Sequence, residues 1–102
     1  MEIKLHKSGA MSVQIGKQSM WLTPHAIERW KERISTDLES MCYRALVARR
    51  IPIRELKKFR RKSFGLRSIS ERHELREHGN VIFIVDPKKP IVITVIKAEY
   101  VK

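Results

Sequence analysis

The sequence predicts an α+β fold, with N-terminal helices packed on a small, mostly antiparallel β-sheet formed largely by the C-terminal third. Three observations predict it. Apolar residues recur at helical spacing between Pro24 and Leu46. Two runs of β-branched and aromatic residues, at 81–85 and 91–96, flank a turn at Asp86-Pro87-Lys88-Lys89-Pro90. The chain has 102 residues, 42% of them hydrophobic, which is enough for one domain around one modest core.

The elements follow in order. Residues 2–18 read as a hairpin: Ile3 and Leu5, then Val13 and Ile15, alternate with polar residues, and Ser8-Gly9 supplies the turn. Thr23-Pro24 marks a helix start, because threonine can cap and proline fits the first helical position. That helix runs to about Ile34, with Ile27, Trp30 and Ile34 as its apolar stripe. Ser35-Thr36 breaks and restarts the chain, and Thr36 with Glu39 forms a capping-box pattern. Leu38, Met41, Cys42, Ala45 and Leu46 then repeat at helical spacing, and Pro52 ends or reorients the second helix. Ile53, Leu56 and Phe59 pin a short helix to the core. Residues 63–75 form a strand region with Leu66 and Ile69 as its apolar positions, and His78-Gly79-Asn80 is a turn. The runs 81–85 and 91–96 make an antiparallel hairpin at the middle of the sheet. Both are apolar on either face, so both faces are covered, one of them by the helices. The single domain thus divides into a hairpin over 1–20, a helical part over 23–62 and a sheet part over 63–98.

Charge points to the partner. Lys+Arg number 22 against 11 Asp+Glu, giving a net charge of +11 and a pI near 10.3. Such a field attracts polyanions, and nucleic acid is the expected ligand, RNA ahead of DNA. Other classes are excluded. A lone Cys42 cannot form an internal disulfide, so the fold is independent of oxidation, and a cytoplasmic location is expected. Among apolar helix positions it reads as a buried thiol. No Cys/His spacing suits zinc, no apolar run approaches the ~20 residues that span a bilayer, and the N-terminus lacks a signal-peptide stretch. No metal, cofactor or membrane partner is expected.

Four sets of residues could carry chemistry. His25, Arg29 and Arg33 are spaced four apart and form a polar ridge beside the apolar stripe of the first helix. Arginine grips phosphate bidentately and histidine moves a proton near neutral pH, which is the equipment for cleaving RNA through its own 2′-hydroxyl. The bland alternative is a solvated His25, with Arg29 and Arg33 paired to Glu32 or Glu28. Thr94 is the one polar side chain in the last strand, on a face shared with Val92 and Ile96 that is expected to meet the helices. Its hydroxyl must find a partner there. His73 and His78 are further acid–base candidates that more often are surface residues. Finally, Arg49, Arg50, Arg54, Lys57, Lys58, Arg60, Arg61 and Lys62 crowd one stretch in which Glu55 is the only acid. Its simplest use is phosphate contact. Phe59 and Phe64 nearby would stack on a base if exposed, and otherwise anchor the core.

The stretch Leu22-Thr23-Pro24-His25-Ala26-Ile27-Glu28-Arg29-Trp30-Lys31-Glu32-Arg33-Ile34-Ser35 resembles the opening helix of small RelE-like and BrnT-like proteins. The segments Val81-Ile82-Phe83-Ile84-Val85-Asp86 and Ile91-Val92-Ile93-Thr94-Val95-Ile96 resemble their last two strands. The resemblance covers about residues 22–96. It implies a metal-independent endoribonuclease of toxin type, in the wider group of barnase, the RNA-cleaving colicins and RelE. It would place His25, Arg29, Arg33 and Thr94 at the site, with an acidic antitoxin or the ribosome as further partners. This chain departs from the pattern in its N-terminal hairpin and in its long basic stretch, and no middle-strand residue matches a catalytic position. The alternative is a non-catalytic basic DNA- or RNA-binding regulator of phage or mobile-element origin. A third reading is a protein-interaction module that meets an acidic partner. A helix-turn-helix ranks lower, because the junction at 34–36 lacks a turn glycine.

Overall fold

The structure, a computed structural model, describes residues 1–52 and 73–97. Alternation at the start of the chain produces the expected hairpin and then one strand more. β1 (Glu2–Leu5) and β2 (Met11–Ile15) pair antiparallel around Ser8-Gly9, with Gly9 at a φ of 91° that suits glycine. β3 (Gln18–Leu22) then returns against β2. Period two sorts the side chains: Val13, Met20 and Leu22 are buried, whereas Gln14, Ser19 and Trp21 face solvent.

The helix start at Thr23-Pro24 holds. α1 (Pro24–Arg33) has proline in its first turn, and the Thr23 hydroxyl accepts from the Ala26 N–H at 3.1 Å. α2 (Leu38–Val47) is capped by Asp37 rather than by Thr36, its carboxylate accepting from the Ser40 N–H at 3.0 Å. Trp30 accounts for the shift. Its indole is fully buried, needs an acceptor, and donates to the Asp37 carbonyl at 3.1 Å, which fixes Asp37 at the cap. Nor does Pro52 end α2. The helix stops at Val47, and Ala48 is extended (φ −60°, ψ 140°), so that β4 (Arg49–Arg50) can join the sheet edge.

The remaining strands are β5 (Glu74–His78), β6 (Val81–Asp86) and β7 (Ile91–Lys97). His78 belongs to β5 and pairs with Val81, leaving Gly79-Asn80 alone as the turn. Of the strand region expected over 63–75, only its end is described, and there the strand begins at Glu74. Leu66, Ile69 and the short helix of Ile53, Leu56 and Phe59 lie outside the described residues.

All seven strands form one sheet in the order β1-β2-β3-β7-β6-β5-β4. Every pairing is antiparallel except β3 with β7, which is parallel through Trp21–Ile91 and Leu22–Val92. The fold is α+β and mostly antiparallel, but the helices do not come first in the chain. Three strands precede the helices. The reason is the free edge of β7, whose other edge is taken by β6. The Trp21 N–H donates to the Pro90 carbonyl (2.8 Å) and the Thr23 N–H to the Val92 carbonyl (3.2 Å), so β3 satisfies the first part of that edge.

α1 and α2 cover one face of the sheet. Trp30, Met41, Cys42 and Ala45 meet Met20, Leu22, Phe83, Val85, Val92 and Val95 in a continuous apolar core, and the Trp30 and Phe83 rings stack with centroids 6.2 Å apart. On the opposite face of β5–β7, Leu75, Ile82, Ile84 and Ile96 are buried as well, as strands apolar on both sides require. No helix among the described residues is long and apolar enough to cross a membrane.

Candidate nucleic-acid interface

α1 presents His25, Arg29 and Arg33 on one ridge, as their spacing dictates, but their surroundings differ. His25 is exposed, and no hydrogen bond to a described residue holds its ring. Arg29 donates to the Glu32 carboxylate at 2.6 Å, an i,i+3 pair at the surface. Arg33 turns to the sheet and donates to the Val95 carbonyl at 2.8 Å. Beyond Val92, β7 has lost β3 as a neighbour, so its outer carbonyls need donors. The Thr23 hydroxyl reaches Ile93 O (3.2 Å) and the Arg33 guanidinium reaches Val95 O. Arg33 is thereby bound to the backbone, and Glu32 competes with a phosphate for the Arg29 guanidinium.

Thr94 lies on the other side of the sheet from this ridge. A register shift separates the Ile84–Thr94 pair from the Val85–Val92 pair, leaving one extra residue in β7. Thr94 therefore shares the face of Ile84 and Ile96, while Val92 and Val95 face the helices. The alternation that placed Thr94 with Val92 against the helices is broken by this bulge.

The basic stretch is described only at its beginning. Arg49 pairs with Glu77 across β4 and β5. Arg50 Nε lies 2.8 Å from the Glu74 carboxylate, whose other oxygen lies 2.9 Å from Arg76. Both arginines expected to contact phosphate thus face acids on β5, so their charge is partly neutralised. Arg54, Lys57, Lys58, Arg60, Arg61 and Lys62 lie outside the described residues, as do Phe59 and Phe64.

Two further groupings were not expected from the sequence, and the first takes in the acid–base candidate His78. Arg44 on α2 donates through Nε to His78 Nδ1 (3.0 Å) and through Nη2 to His78 O (2.8 Å) and Asn80 Oδ1 (3.1 Å), while its guanidinium lies 5.5 Å from the Trp30 ring centroid. Arginine has no acceptor, so His78 Nδ1 must be the accepting nitrogen and the ring proton sits on Nε2. This grouping ties α2 to the β5–β6 turn and leaves His78 fixed rather than free to swing. His73, just ahead of β5, has a buried Nδ1 with no hydrogen-bond partner among the described residues.

The second group is the solvent face of the β1–β3 meander, which forms an open groove of about 270 Å³. Lys4, His6, Ser12, Gln14, Ser19 and Trp21 line it. The His6 and Trp21 rings stack at 4.4 Å, and His6 Nε2 is 2.9 Å from the Ser12 hydroxyl. The signal was present in Gln18-Ser19-Met20-Trp21-Leu22, which alternates polar-side and core-side residues and carries its aromatic on the polar side.

Among the described residues no group of three or more His, Cys, Asp or Glu side chains could hold a metal ion. Burial, with some help from the charge of Glu39, pushes the Cys42 thiol up from its ordinary value of 9.0 to about 11, which keeps it protonated and unreactive. Neither a protein-family model, nor a curated protein, nor a solved structure matches this chain.

Proposed function

We propose that this chain is a nucleic-acid-binding protein whose ligand is RNA. The observation that carries the reading is the distribution of its excess positive charge. The net charge is +11, and described acids such as Glu32, Glu74 and Glu77 are already paired with arginines. Exposed Lys7, Lys17, Lys31, Lys88 and Lys89 enter no ion pair with a described residue. Unpaired lysines displace the counterions condensed on a phosphate backbone.

A second reading, the metal-independent endoribonuclease of the RelE-like kind, is favoured by exposed His25, which stands on the same ridge as Arg29. In that reaction His25 would take the 2′-hydroxyl proton or protonate the leaving oxygen, and Arg29, freed from Glu32, would hold the phosphate. Arg33, bound to Val95 O, supports the helix instead. An acidic antitoxin would then be the inhibitor that covers the cations.

The test is a binding and cleavage assay on a mixed-sequence RNA in EDTA, across a salt series. Binding that weakens linearly in log–log form with salt supports the first reading. Defined fragments from the native protein, lost in His25→Ala with the fold intact, establish the second. A native protein that binds neither RNA nor DNA at low salt overturns both and leaves an acidic protein partner.

A further inference from the structure

We infer that the solvent face of the β1–β3 meander is a base-stacking site for single-stranded RNA, centred on Trp21. The inference rests on the RNA-binding reading above and gives it a location.

Trp21 stands in the open. Its strand neighbours Met20 and Leu22 are buried at 1% and 0% exposure, so β3 is fully anchored without it. Trp21 itself is 42% exposed on a face that it shares with Glu2, Lys4, His6, Ser12, Gln14 and Ser19. Core packing does not require a large aromatic there. Base stacking does use one, because every base offers a π-face to an exposed ring.

The ring is also held ready. His6 lies against it at 4.4 Å with 25° between the planes, and the Ser12 hydroxyl holds His6 at 2.9 Å. Ser12 is the cross-strand partner of Trp21, and of Lys4 on its other side. The three strands thus orient one aromatic pair, which lowers the cost of ordering it when a base arrives.

Charge and hydrogen-bonding groups suit the same ligand. β3 and β7 run parallel, so the β2–β3 turn with Lys17 and the β6–β7 turn with Lys88 and Lys89 lie at the same end of the sheet. The Trp21 N–H is bonded to Pro90 O, which places the end of that second turn beside the Trp21 backbone. A strand stacked on Trp21 has phosphate partners at this end. Gln14 and Ser19, directly paired across β2 and β3, offer donors and acceptors to base edges and to a 2′-hydroxyl. Glu2, the acid in the groove, lies 3.7 Å from Lys4 and is partly offset by it.

A fluorescently labelled single-stranded RNA of mixed sequence is titrated by anisotropy into the native protein, Trp21→Ala, Trp21→Phe and Ser19→Glu. The same sequence as duplex RNA and as single-stranded DNA forms the comparison. Circular dichroism melts check that each variant folds. Loss of one stacked base is expected to weaken single-strand binding about 10-fold or more in Trp21→Ala. Trp21→Phe should recover most of that loss, and Ser19→Glu, at an exposed position, should weaken binding through charge alone. Duplex binding should hardly change. Trp21 is the exposed one of the two tryptophans, Trp30 being fully buried, so RNA should also quench a solvent-exposed emission that is missing from Trp21→Ala. If the native protein binds single-stranded RNA and folded Trp21→Ala and Ser19→Glu bind it equally well, the site is elsewhere and the inference falls, while RNA binding stands. Tighter binding of the matched DNA overturns the assignment to RNA. Absence of binding to any nucleic acid overturns the RNA-binding reading itself.

Discussion

Arg44→Ala removes three hydrogen bonds and a cation–π contact in one substitution. Arg44 and His78 are half-buried and Asn80 is exposed, so water can replace part of what the hydrogen bonds lose. Discounted for that, each hydrogen bond is worth roughly 0.5–1 kcal/mol and the contact with Trp30 about 0.5 kcal/mol, which sums to about 2–3.5 kcal/mol. For a domain of this size that is a fall in Tm of roughly 10–15 °C. Urea and thermal denaturation followed by circular dichroism measure it. Arg44→Lys should be intermediate, because an ammonium keeps the charge near Trp30 but lacks the fork that reaches His78 and Asn80 together. A double-mutant cycle with His78→Ala should return a coupling of about 1 kcal/mol. A loss below about 0.5 kcal/mol in Arg44→Ala, or full stability in Arg44→Lys, would refute the view that this fork ties α2 to the β5–β6 turn.

Three other outcomes are expected. Gly79→Ala should cost about 1–2 kcal/mol by denaturant titration, because φ is +61° and the added Cβ would stand 3.1 Å from the Arg44 guanidinium. Arg33→Ala should lower stability by about 1–2 kcal/mol, since Val95 O loses its donor; unchanged stability would return Arg33 to a ligand-binding role. Cys42 holds its proton more tightly folded than unfolded, so its contribution is complete below the ordinary value of 9.0 and is lost as pH rises toward about 11. The loss is about 1.4 kcal/mol per pH unit in that window. Native protein compared with Cys42→Ala in alkaline urea titrations isolates it, and parallel curves above pH 9 would contradict it.

What was legible in the sequence was local. Thr23-Pro24 carries its own capping logic, and the apolar spacing from Leu38 to Leu46 needs no distant information. The β6–β7 hairpin is written in adjacent residues. What was hidden depends on contacts between distant segments. Thr36 and Asp37 both suit a cap, and the choice was made by the indole of Trp30. β3 shows alternation, yet its parallel partner stands at the far end of the chain. Arg33 and Arg29 are equivalent by helical spacing, but only Arg33 meets an unsatisfied strand carbonyl. Thr94 was assigned the wrong face because one extra residue in β7 reverses the alternation, and no residue type announces it. Arg49 and Arg50 read as free cations because the acids opposite them, Glu77 and Glu74, lie on another strand.

The parallel seam between β3 and β7 bears on how the chain reaches its fold. Thr23 and Ile93, which bond across that seam, are 70 positions apart. The hairpins β1–β2, β2–β3 and β6–β7 can close over short loops, whereas the seam must wait until nearly the whole chain is present and its loop entropy has been met. Until then the first strands lack their neighbour, and Met20 and Leu22 have no finished core to enter. Folding is therefore expected to be slowest at this seam, with the amides of Trp21 and Thr23 the last to gain protection in pulse-labelled hydrogen exchange. Their early protection, ahead of the β6–β7 hairpin, would reverse that order.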